Sequence, residues 1–128
     1  MKKNILSTDK APKAIGAYSQ GVTIENARLV FVSGQLGLDP ATGAMVSGGA
    51  AAEARQAMNN LGAILKAAGG DYASIIKTTI YLADIGDFAA VNEIYAGYFT
   101  ADFPARAAFA VAALPRGGRV EIEAIAAL

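Results

Sequence analysis

Apolar residues recur along this chain with two periods. In "RVEIEAIAAL", Val120, Ile122 and Ala124 alternate with Glu121 and Glu123. That two-residue period predicts a strand with one apolar and one polar face. "SIIKTTIYLA" is short and β-branched, which also predicts a strand. In "AAAEARQAMNNLGAILKAAGG", Ala54, Ala57, Met58, Leu61, Ile64, Leu65 and Ala68 fall at three- and four-residue steps. One face of a helix has that spacing, and Gly69–Gly70 supplies its stop. "FAAVNEIYAGYF" predicts a second helix with Phe88, Val91, Tyr95 and Tyr98 on one stripe and Asp87 as its cap. Earlier, "SQGVTIENARLVFVSGQLGL" reads as strand, turn, strand, with the turn at Glu25 to Arg28 closing a hairpin. Residues 1–10 read as a polar lead-in. Pro40, Gly43, Gly48 and Gly49 mark a loop.

"FPARAAFAVAALP" fits neither period well. Alanine favours helix, but the stretch is short and bounded by Pro104 and Pro115, so a buried strand fits better. Ala107, Phe109, Val111 and Ala113 would then share one face, opposite Arg106, Ala108 and Ala110. The resulting order is ββαβαββ. It predicts a single α+β domain over residues 1–128, a mixed sheet with two helices packed on one face. The other sheet face carries Ser33, Thr79 or Lys77, and Glu121, and no element remains to cover it. Other subunits would.

Composition narrows the chemistry. Hydrophobic residues make up 54% and charged residues 17% of the chain, which argues against disorder. Eleven basic residues balance eleven acidic ones, so neither a nucleic acid nor a membrane surface is a favoured partner. With no cysteine and no histidine, thiolate nucleophiles, disulfides and the commonest metal ligand and general base are excluded. No carboxylate spacing suits a calcium loop, and no metal is expected. "MKKNILSTDKAPK" lacks the apolar core of a signal peptide, and no apolar run is long enough to span a bilayer, so a cytoplasmic protein is expected.

Several segments together carry a family likeness. "APKAIGAYSQGV", "VSGQLGLDPATG", "ARQAMNNLGAILKAAG", "IIKTTIYLADIGDF", "VNEIYAGYF" and "PAR" followed by "ALPRGGRVEIEAIA" occur in order. From about Ala11 onward the chain resembles the RidA (YjgF-type) enamine/imine deaminase family. The resemblance implies a chorismate-mutase-like fold and a homotrimer with active sites in clefts between subunits. It implies hydrolysis of reactive 2-imino acids, such as 2-iminobutanoate and 2-iminopropanoate, to 2-oxo acids and ammonia. This would protect pyridoxal phosphate enzymes from damage, and needs no cofactor.

By the same resemblance, Arg106 matches the carboxylate-binding arginine and Glu121 the acid/base. Tyr18 would close the cleft. Ser33, the Gly34 backbone, Asn92 and Ala108 would line the pocket. Three positions depart from the pattern: Ala17 and Gly37 stand where proline is common, and Ala108 where cysteine or threonine is common. The expected consequences are a less rigid Tyr18 loop, a changed pocket shape, and no side-chain role at 108. The residues suit the task. A guanidinium grips a carboxylate through two parallel hydrogen bonds, and one carboxylate can move a water's proton. The plainer readings are a solvated strand arginine, a wet edge-strand face for Glu121 and Glu123, core packing for Tyr95, Tyr98 and Phe99, and a solvated turn for Arg116 and Arg119. Alternative functions are a non-catalytic carboxylate-binding trimer, or a ribonuclease or holdase activity.

Overall fold

The computed structural model describes residues 1–128. Six strands and two helices follow in order: β1 (Lys2–Leu6), β2 (Gly21–Glu25), β3 (Leu29–Leu36), α1 (Gly49–Ala67), β4 (Ile75–Leu82), α2 (Phe88–Ala96), β5 (Ala105–Ala110) and β6 (Val120–Ala127). The α+β class and the two helices stand as expected. The strand count does not, because residues 2–6 of the expected lead-in form β1. Lys3 explains why the polar segment orders. Its ammonium donates to the Ala73, Ile75 and Asp102 carbonyls at 3.0–3.3 Å, docking β1 on the body of the protein. Burial lowers the Lys3 pKa, and Asp102 partly offsets this.

The expected hairpin is also corrected. A turn does lie between β2 and β3, with Asn26 at φ 51°, a conformation asparagine tolerates. However, β2 pairs antiparallel with β1 in a two-stranded sheet. The partner of β3 is β6, in a four-stranded sheet of order β3-β6-β4-β5. Only the β4–β5 pair is parallel, and α2 lies in the connection between them. Thus β5 is a half-buried edge strand rather than a buried one, and β6 is central rather than an edge.

One apolar core fills the space between the four-stranded sheet and the helices. Ala54, Ala57, Met58, Leu61 and Leu65 of α1 have no solvent exposure and face Ile80, Leu82, Val120 and Ile122. Truncating one of the large side chains to alanine would cost about 2–5 kcal/mol. Ile64, assigned to the same face, turns out to be exposed. Gly69 ends the helix at φ 90°. Gly37 lies against α1, since a Cβ there would stand 2.6 Å from Glu53 Cα. No helix is long and apolar enough to cross a membrane.

Candidate functional site

Strand pairing decides which way each candidate side chain points. In β4, Thr78 pairs with Arg106 of β5, and Tyr81 pairs with Glu121 of β6. Residues 78 and 81 are three apart, so they point to opposite faces of the sheet. Arg106 and Ala108 therefore lie on the face that the helices cover, as Thr78 and Ile80 do. Glu121 lies on the open face with Tyr81. Strand spacing puts the two Cα atoms roughly 14 Å apart, with the sheet between the side chains. Within one chain, the candidate site is in two halves.

The covered half is built around the Arg106 guanidinium. Helix α2 presents Phe88, Asn92 and Tyr95 to it, a spacing of four and then three residues that keeps them on one helix face. Arg106 Nη1 donates to Asn92 Oδ1 at 2.6 Å. Three rings surround the cation, with Cζ to centroid distances of 5.1 Å for Tyr95, 5.5 Å for Phe88 and 5.7 Å for Tyr18. These distances allow cation–π attraction. Burial lowers the Arg106 pKa, while Tyr95 and Tyr18 act the other way. No carboxylate pairs with Arg106; the one ion pair in the molecule joins Arg119 and Asp87.

The loop bearing Tyr18 packs over this half. It carries alanine at position 17, and contacts with other parts of the chain hold it. Ala17 is buried in the core, and Ser19 donates its hydroxyl to the Phe103 carbonyl and its N–H to the Pro104 carbonyl. The Gln20 amide reaches back to the Thr8, Ala11 and Pro12 carbonyls. The Tyr18 hydroxyl accepts the Ile15 N–H at 3.3 Å. At the tip of the loop, Ile15 is 92% exposed.

The open half holds Ser33, Gly34 and Glu121. Between Val32 and Gln35 the β3–β6 register shifts, and Gly34 lies in that irregularity. A Cβ on Gly34 would overlap the Glu121 carboxylate, so only glycine lets that side chain lie against β3. Ser33 is exposed and lines a hollow of about 350 Å³ with Phe31, Lys77, Thr79, Glu123 and Ile125. Glu123 accepts the Tyr81 hydroxyl at 2.7 Å, so its carboxylate is already engaged. Exposed Phe31 (72%) and Phe109 (46%) give this face an apolar character. No group of three or more acidic side chains comes together that would hold a metal ion.

Two local expectations fail here for the same reason. Asp87 makes no side-chain cap to α2. Instead it holds Arg119 through both carboxylate oxygens at 2.9–3.2 Å, and the Arg119 N–H donates to Glu53 at 2.8 Å. Neither Arg119 nor Arg116, which donates to the Gly43 carbonyl, is merely solvated. Sequence reasoning also missed Phe88 and Tyr95 as neighbours of Arg106. Their signal was present, since both share a helix face with Asn92.

The family model described as "Endoribonuclease L-PSP" matches residues 8–128. A goat protein named 2-iminobutanoate/2-iminopropanoate deaminase is 60% identical over 124 residues, covering 97% of this chain and 89% of its own. The crystal structure of RidA from an Antarctic Psychrobacter is 46% identical, with a TM-score of 0.76, and covers 98% of this chain and 99% of its own. Escherichia coli TdcF with bound serine is 40% identical, with a TM-score of 0.76 and 98% coverage of both chains.

Proposed function

Because the chain belongs to the RidA, or endoribonuclease L-PSP, family, we propose that it is a 2-iminobutanoate/2-iminopropanoate deaminase. It works in the cytoplasm as a homotrimer with its sites between copies. The observation that carries the chemistry is Arg106: a half-buried guanidinium, held on one side by Asn92, with no carboxylate of its own. A small 2-imino acid brings the missing carboxylate, which the remaining guanidinium donors take up in a bidentate pair.

Hydrolysis then needs one water and one proton carrier. Glu121 of a neighbouring copy takes a proton as the water oxygen attacks the C=N carbon. Returned to the nitrogen, that proton completes a carbinolamine, whose hydroxyl proton then passes through Glu121 to the nitrogen as the C–N bond breaks. Ammonia leaves, and a 2-oxo acid remains. General acid–base catalysis by one carboxylate contributes about 10²–10⁴-fold. Imines hydrolyse slowly in water unaided, so no stronger nucleophile is required. Tyr18 closes the site over the clamp, Ala108 forms its wall beside Arg106, and Ser33 with the Gly34 backbone lines the acid/base half.

Two features support the inter-subunit site. Arg106 and Glu121 of one chain point to opposite faces of the sheet. The face bearing Glu121 also exposes Phe31 and Phe109, as a surface awaiting another subunit would. The test couples the protein to a threonine dehydratase and follows 2-oxobutanoate formation, with a competing amine trapping free imine. Wild type accelerates release, and Arg106→Ala lowers kcat/KM by roughly 10²–10³-fold while the trimer persists. Full activity in Arg106→Ala overturns the assignment.

A further inference from the structure

Tyr95 has no solvent exposure, as a core residue would, yet its ring is the nearest of three to a cation. Its hydroxyl also has a defined partner. Tyr95 Oη and Thr78 Oγ1 are 2.8 Å apart, and Thr78 is fully buried too. Thr78 is in turn the residue beside Arg106 in the parallel β4–β5 ladder. The ring is thus fixed at both ends, by the α2 backbone and by the strand residue adjacent to the clamp.

Simple packing does not require this arrangement. Leucine and valine would fill a core without burying two hydroxyl groups, which must then satisfy each other. The ring does something that a carboxylate could not. An aspartate or glutamate beside Arg106 would offset its burial but would occupy its hydrogen-bond donors and neutralise its charge. An aromatic face attracts the cation and leaves its N–H edge free.

We propose that Tyr95, anchored through Thr78, is a positioning residue for the carboxylate clamp. It sets the orientation of the Arg106 guanidinium and stands in for a counter-ion, so that the ligand's carboxylate becomes the first anion the guanidinium meets. The role in turnover rests on the deaminase reading, whereas the role in carboxylate binding does not.

The test uses the full-length chain and two readouts: steady-state kinetics in the coupled assay, and calorimetric binding of the product 2-oxobutanoate. Carboxylate binding is shared by ground and transition states, so its loss raises KM and leaves kcat alone. Tyr95→Leu should raise KM and the 2-oxobutanoate Kd about tenfold, with kcat within about twofold. Tyr95→Phe keeps the ring but not the anchor, and should recover most of that loss, leaving KM about threefold high. A purely structural Tyr95 would lower Tm without moving KM or Kd.

Folded Tyr95→Leu with wild-type KM and Kd overturns the proposal. If that variant does not fold, folded Tyr95→Phe with wild-type values overturns the anchoring through Thr78. Wild type that binds 2-oxobutanoate without hydrolysing imine removes the deaminase reading, and the Kd ratios then decide this proposal alone. Wild type that neither binds nor hydrolyses overturns both.

Discussion

The two faces of the four-stranded sheet differ in how they treat charge. On the covered face, Arg106 is the one charged side chain that the strands contribute, and three rings and one amide surround it. The open face carries Lys77, Glu121 and Glu123 beside exposed Phe31 and Phe109, a mixture that leaves apolar surface in water. The Arg106 environment is therefore built within one chain, while the proposed acid/base, Glu121, lies on a face that under the proposed function a second copy completes. The contrast teaches that the Arg106 guanidinium and the Glu121 carboxylate belong to different packing environments. They can be altered separately.

That separation predicts a graded set of outcomes. The largest is chemical. Glu121→Gln keeps the shape of the side chain but cannot take a proton, so kcat should fall roughly 10²–10⁴-fold while 2-oxobutanoate binding persists. Unchanged turnover would remove Glu121 from the mechanism. Retained binding without wild-type turnover at all would favour a carboxylate-binding sensor.

A subtler effect tests the two-faced geometry directly. Arg106→Ala and Glu121→Gln chains, each inactive alone, should regain activity when co-refolded in equal amounts. If each site takes its arginine from one copy and its glutamate from the next, every mixed trimer holds one intact site. Random assembly then restores about a quarter of wild-type activity. No recovery would place both residues in one chain's site. Light scattering on the same sample measures whether the assembly is a trimer.

The smallest effect concerns stability at high pH. Burial pushes the Tyr95 hydroxyl up to about 12. An acid whose folded pKa is raised stays protonated longer in the folded state. Its stabilisation is therefore complete below about pH 10 and is lost as pH rises toward about 12. Burial also raises Tyr72 and Tyr98, and the Glu123 hydrogen bond raises Tyr81, so several groups share the decline. Thermal melts from about pH 9 to about pH 12 should show a Tm that falls less steeply in Tyr95→Phe than in wild type. Parallel curves would mean that Tyr95 does not contribute.

Much of the fold was legible because its signals are local. The three- and four-residue spacing of Ala54 to Leu65 predicts α1, and the alternation from Val120 to Ala124 predicts β6. Both follow from which side chains can be buried together. Failures came where a distant partner outbid a local preference. Asp87 could have capped α2, but Arg119 offers it a bidentate pair. Lys3 makes a polar segment look unstructured, yet three carbonyls from elsewhere in the chain hold it. Asn26 correctly marked a turn, but no turn residue states which strand the next one will join.

The candidate site divides along the same line. The sequence by itself determined the elements, their apolar faces, the absence of histidine and cysteine, and a family likeness that singled out Arg106 and Glu121. All of these depend on residue identity and short spacing. Only the tertiary structure decided that Phe88, Asn92, Tyr95 and Tyr18 meet at one guanidinium, and that Glu121 lies on the other side of the sheet. Those facts depend on strand register, and a shift of one residue reverses the face of every side chain in a strand.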